Sequence, residues 1–336
     1  MSDKINWEYI KEFNDSIRTI WMPFGLPEII DPSHSRFSNG VDIQPAWKIP
    51  PKIAISTTIT GAMFSSRGNP NHPMTLEEIS KSAREACEAG SPIVHIHVRD
   101  ENGYNVLDPE KFHKVIDPLK RDFPDTVFDG CMCALDSAEW PHMESFLKEG
   151  LLEVTPINTV AVLYGDTLFA KPPYSMIEKT KICQDCGVKP QIAIYTDADV
   201  DNADRFLIKP GLLQKPYHWI ILAAVPGCSP MQNPRQMVEG LMRTYNNIMD
   251  IDDTASVMVC AAGRASSYLA TFAMLMGLHI RVGMEDTVWK WPHKDDKIVN
   301  NAEHFKLFKT MAGMLGREVM TPDEYRRMIG LPVRKK

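Results

Sequence analysis

The chain has no apolar run long enough to cross a bilayer: the longest, around Leu269 to Leu278, is short and interrupted. Nor does it carry an excess of positive charge. Its 37 Lys and Arg residues stand against 43 Asp and Glu, a formal net charge of -6, which offers no electrostatic footprint for nucleic acid. Seven cysteines, an odd number scattered through apolar segments, argue against an extracellular disulfide framework and for a reducing compartment. The first residues, Met1-Ser2-Asp3-Lys4-Ile5, lack the basic start and apolar stretch of a secretion signal. These absences predict a cytoplasmic enzyme or binding protein with neither membrane nor nucleic acid as a partner.

What is present is an alternation. Residues 1–51 are rich in Pro, Trp and turn formers without a sustained period, and they read as an N-terminal arm packing on the main domain or on a neighbouring subunit. From Ile53 onward, β-branched runs alternate with amphipathic stretches. The pattern predicts strands over 53–59, 93–98, 126–131, 152–157, 191–195, 219–224, 255–260 and 279–282. Helices are predicted over 75–89, 109–121, 138–148, 174–186, 200–208, 234–246, 266–276 and 300–315. Thr75 ahead of Leu76-Glu77-Glu78 is a capping box, and Gly90, Gly187 and Gly316 stand where helices should stop. Eight strand–helix units match a (β/α)8 TIM barrel over 52–336, ending in a C-terminal helical tail. A doubly wound open sheet would accommodate the same alternation, but no Gly-x-Gly-x-x-Gly follows the first strand to support a dinucleotide site.

In such a barrel, chemistry sits at the C-terminal ends of the strands. Strand two ends in His95-Ile96-His97. Residues two apart on a strand point the same way, so the two imidazoles can close on one divalent cation. Strand one ends in Thr58-Ile59-Thr60-Gly61 and strand eight in Gly283-Met284-Glu285-Asp286, and both adjoin strand two around a closed barrel. A third ligand could come from the strand-eight end. Other histidines (His72, His113, His142, His293, His304) fall in predicted loops or helices and read as surface groups. Cys183-Gln184-Asp185-Cys186 reads as a helix end, Met274-Leu275-Met276 as core, and Trp289-Lys290-Trp291-Pro292 as part of the mouth or of a subunit contact.

From Ile53 to Leu331 the chain resembles the β-keto acid cleavage enzymes, whose founding activity is 3-keto-5-aminohexanoate cleavage. The resemblance rests on an ordered set of segments: Ile59-Thr60-Gly61-Ala62, Val94-His95-Ile96-His97-Val98-Arg99, Val225-Pro226-Gly227, Ala262-Gly263-Arg264 and His279-Ile280-Arg281-Val282-Gly283-Met284-Glu285-Asp286. It implies a zinc-bearing TIM barrel in which His95, His97 and Glu285 are the metal ligands, Asp286 the base, and Arg281 the group that orients Asp286 and lowers its pKa. It also implies acyl transfer: a β-keto acid and acetyl-CoA yield acetoacetate and a new acyl-CoA. Zinc or another divalent transition metal, acetyl-CoA as co-substrate and a homo-oligomer, tetramer or dimer, follow from the same resemblance.

Thr60, Met63, Cys131 and Arg264 are the expected substrate contacts. Met63 stands where the founding activity has an acidic residue for the substrate's amino group. Gly130-Cys131-Met132-Cys133 replaces Ser-Thr-Gly-Gly, and Pro156 stands where a Thr is usual. An ammonium beside Met63 would lose hydration without a paired charge, so an amino-bearing acid is not the expected substrate. Two rival readings are a zinc hydrolase, with His218 as the further histidine such sites recruit, and a metal-binding family member without turnover.

Overall fold

In the computed structural model, the structure describes residues 6–16, 46–131, 140–164 and 167–334. Eight parallel strands form a closed barrel: β1 (Ile55–Thr58), β2 (Ile93–Ile96), β3 (Val127–Gly130), β4 (Val154–Asn158), β5 (Lys189–Ile194), β6 (His218–Ala223), β7 (Ser256–Ala261) and β8 (His279–Gly283). β8 pairs with β1, which brings the first and last strand ends together beside β2. The fold is a TIM barrel.

The flanking helices are α1 (Leu76–Glu88), α2 (Pro109–Asp122), α3 (Trp140–Lys148), α4 (Pro173–Asp185), α5 (Asp197–Ala203), α6 (Pro234–Ile251), α7 (Ala265–Leu275) and α8 (Asn301–Met314). Each bears an apolar stripe that packs on the strands' outer faces. Phe112 and Val115 of α2, Leu269 of α7 and Phe305 of α8 are all buried in that layer. Thr75 closes the predicted capping box at α1, with its hydroxyl accepting from Glu78 N–H and the Glu78 carboxylate accepting from Thr75 N–H. Cys186 caps α4 just before Gly187, so the paired cysteines are a helix end.

The N-terminal end of the barrel is plugged from within the chain. Tyr325 and Ile329 of the C-terminal helix (Pro322–Ile329) pack against Ala54, Ile93, Val127, Val154 and Ile220. Arg326, fully buried, meets Glu153 through two hydrogen bonds of 2.6 and 2.7 Å. His218 lies at this end of β6, bonded to Gln191 (2.7 Å) and to the Tyr325 hydroxyl (2.9 Å), and burial pushes its pKa down to about 3. It belongs to the plug and not to the mouth.

Two of the expected surface histidines are buried instead. His72 Nε2 donates to the Met284 carbonyl at 3.2 Å, and His304 packs edge-on against Phe308. Both ride on segments that fold back over β8, a long-range contact invisible to local periodicity. Of the expected arm, Trp7–Ser16 forms a helix with Asn6 accepting from the Tyr9 N–H at 3.0 Å, while 17–45 lies outside the described residues. Met132 and Cys133 also lie outside them. Among the described residues no helix is long and apolar enough to cross a membrane.

Candidate metal centre

The alternation along β2 sends His95 into the barrel, and His97 follows it on the same face after the strand ends. The two Nε2 atoms stand 3.2 Å apart. Each imidazole is held from behind: His95 Nδ1 lies 3.0 Å from Asp129 Oδ2, its neighbour in register on β3, and His97 Nδ1 lies 2.7 Å from Asn105 Oδ1. Asn105 is delivered by a short hairpin in which Val98–Arg99 pairs with Asn105–Val106.

The third group depends on where β8 stops. Arg281, Gly283 and Glu285 would share a face of a continuous strand, leaving Asp286 to point among the helices. The strand instead ends at Gly283, whose φ of 146° is open to glycine alone, and a Cβ there would stand 2.0 Å from the Thr58 carbonyl oxygen. The chain then folds into a turn in which the Asp286 and Thr287 N–H groups donate to the Gly283 carbonyl, both at 3.2 Å. Both carboxylates therefore enter the mouth. Gly61 makes the room: a Cβ there would overlap Glu285 Cγ at 2.0 Å.

Glu285 Oε2 lies 3.4 Å from His95 Nε2, and Oε1 lies 3.4 Å from His97 Nε2. Thr58 Oγ1 also donates to Glu285, and Arg281 Nη2 stands 3.2 Å from Oε1. Donors held at ~2.0–2.2 Å on a tetrahedral ion are themselves ~3.3–3.5 Å apart, so the observed separations suit one small divalent cation. Two imidazoles and a carboxylate, all buried and converging, fit such an ion.

The local charges are strongly coupled. Burial alone would lower the His95 pKa, but the Asp129 and Glu285 carboxylates outweigh it and raise it. Burial would likewise raise Glu285, yet Arg281 and the two histidines hold it well below the usual range. Arg281 grips Asp286 with Nε to Oδ2 at 3.1 Å and Nη2 to Oδ1 at 2.5 Å. Arg281 does lower the Asp286 pKa, but burial, reinforced by Glu285, outweighs it and pushes the carboxyl up to about 6, so the net shift is the reverse of a lowering.

The remaining expected residues divide. Thr60 is buried and its hydroxyl is committed, donating to the Pro73 carbonyl (2.7 Å) and accepting from Arg99 Nε (2.9 Å). Cys131 follows the end of β3, half-buried. Met63 and Arg264 line a cavity of about 860 Å³ shared with Phe64, Met237, Tyr268 and Trp289. Arg264 is already engaged: it donates to the Lys294 carbonyl, pairs with Asp295 and lies 3.9 Å from the Trp289 ring centre.

Sequence reasoning missed Asp129 and Arg99. An acid inside the apolar run Val127-Phe128-Asp129 was the available signal for the first. Arg99 ties the loop after β1 to the hairpin through the carbonyls of Gly61, Phe64 and Gly103.

Fold and cluster together define a metal-associated enzyme built on a (β/α)8 barrel. Residues 52–331 match the family of the beta-keto acid cleavage enzyme, and the chain belongs to that family. It is 30% identical over 284 residues to the 3-keto-5-aminohexanoate cleavage enzyme of Fusobacterium nucleatum, covering 83% of this chain and 98% of that one. It is 23% identical over 282 residues to the 3-oxoadipate:acetyl-CoA acetyltransferase of Cupriavidus necator, covering 83% and 94%. Among solved structures, a ternary complex of ObcA with a C4-CoA adduct and oxalate superposes with a TM-score of 0.67 at 18% identity, over 78% of this chain and 68% of that one, a likeness of fold alone.

Proposed function

We propose that the protein converts a β-keto acid and acetyl-CoA into acetoacetate and a new acyl-CoA, with a zinc ion held by His95, His97 and Glu285. Three protein ligands leave coordination positions for substrate, as a catalytic zinc requires. When bound, the ion would supply Lewis acidity toward the β-keto acid, which lowers the pKa of the CH2 between its ketone and carboxylate. Asp286 takes that proton, since a carboxyl near 6 is ionised at neutral pH yet basic enough to work there. Arg281 fixes its direction through the paired contacts described above.

The carbon so exposed bonds to the thioester carbonyl and CoA thiolate leaves. The thiolate then adds to the former ketone carbon, the original C–C bond breaks, and Asp286 returns its proton to the departing acetoacetate carbon. Both relatives named above act, by name, on β-keto acids, and one of them uses acetyl-CoA. Met63, Cys131 and Arg264 border the substrate in this reading, while Thr60 holds the loop that carries Met63. Among the described residues that line the cavity with Met63 there is no Asp or Glu to pair an ammonium, which supports a preferred acid without an amino group.

The observation that carries the reading is the turn at Gly283, which turns a metal ligand and a carboxylate base into one mouth from adjacent positions. The test is a panel of β-keto acids with acetyl-CoA, read by mass spectrometry. Acetoacetate and the matching acyl-CoA are expected from amino-free acids, with 3-keto-5-aminohexanoate much slower. Thioester or ester hydrolysis without acyl exchange would replace this reading with the hydrolase.

A further inference from the structure

The cavity of about 860 Å³ is tied to the metal centre by one short stretch of chain and one backbone hydrogen bond. Met63 comes two residues after Gly61, whose Cα abuts the Glu285 side chain, and Gly263 donates its N–H to the Asp286 carbonyl at 2.8 Å. A substrate chain that leaves the metal ligands past Met63 or Gly263 enters this cavity.

The lining is chiefly hydrocarbon and aromatic, with Met63, Phe64, Met231, Met237, Tyr268 and Trp289 in its wall beside the polar Gln232, Arg264 and His293. Among the described residues that line it there is no Asp or Glu, and its one guanidinium, Arg264, is neutralised by Asp295. Among these described residues a cationic tail finds no counter-charge, and an anionic tail finds a cation already paired. The pantetheine arm of a thioester carries two amides, for which this wall offers few partners. Methionine-rich walls adapt to chains of varied shape.

We propose that this cavity seats the tail of the β-keto acid and that the tail is apolar, an alkyl or aryl chain of several carbons. This rests on the reading of the metal centre given above and specifies its substrate class.

The test is calorimetric binding of 3-oxopentanoate, 3-oxohexanoate and 3-oxooctanoate to the metal-loaded protein without acetyl-CoA, which separates recognition from turnover. Affinity is expected to rise about 4-fold per added methylene, the equivalent of ~0.8 kcal/mol. Ala262→Phe, which fills the cavity, should flatten that slope, and Met231→Trp, at an exposed wall position, should do so even where the first variant folds poorly. A chain-length slope with no acyl-CoA formed in the panel above would uphold the pocket and overturn the reaction. Acyl-CoA formation with no slope would uphold the reaction and overturn the pocket. Loss of acetyl-CoA affinity in Ala262→Phe, with the slope for the acids intact, would also overturn it by assigning the cavity to the thioester.

Discussion

Asp286 is pulled both ways by its neighbours: burial and Glu285 favour the neutral acid, and the Arg281 guanidinium favours the anion. A carboxyl balanced between them serves as a base only if it is aimed, and Arg281 aims it. Asp286→Asn keeps the shape and the Arg281 contact but cannot accept the proton. It is expected to cut turnover by about 10²–10⁴-fold, the usual contribution of a positioned base, with metal content unchanged. Loss of α-proton exchange into deuterated water, followed by NMR, checks the step itself. Behind the ligands, Asp129 directs His95 from 3.0 Å. Asp129→Asn is expected to weaken metal binding by about 10–100-fold, as removal of such outer partners typically does, and chelator competition measures it.

At the scale of elements, the end of β8 decides the site. Gly283→Ala would place a methyl against the Thr58 carbonyl in a backbone region that alanine avoids, so loss of thermal stability and of bound metal together is the expected result. Scanning calorimetry with metal analysis reads both. The face parity of Arg281, Glu285 and Asp286, readable from spacing alone, requires that turn if both carboxylates are to reach the mouth. All eight strands and helices were legible too, from periodicity and caps. The two-residue pairings were not: Lys52–Ile53 with Glu318–Val319, and Val98–Arg99 with Asn105–Val106, are too short to carry a period. The plug escaped for another reason. Tyr325 and Ile329 look like any amphipathic helix face until the barrel provides a hole for them. Ile329→Ala should destabilise the fold by about 2–5 kcal/mol, measured by chemical denaturation, without displacing metal from the opposite end.

For the whole molecule, the buried histidines set the acid limit. His218 and His279 are held down to about 3, and His72 and His304 to about 4, in each case chiefly by burial. The unfolded chain protonates them near 6.5 while the folded chain does not. Their stabilisation is therefore complete above 6.5 and is lost as pH falls toward 4 and then 3, at about 1.4 kcal/mol per pH unit for each group in its window. Denaturation midpoints should fall between pH 7 and pH 5, and equal midpoints would show that these groups are not buried neutral. A bound ion adds stability that a chelator removes.

Two imidazoles and one carboxylate, drawn from strand ends far apart in the chain, are the foundation of this account. Metal content by plasma mass spectrometry on the purified chain and on His97→Ala and Glu285→Ala tests it most directly. One divalent ion per wild-type chain and its loss from both variants is the predicted result; undiminished metal in either variant would contradict it.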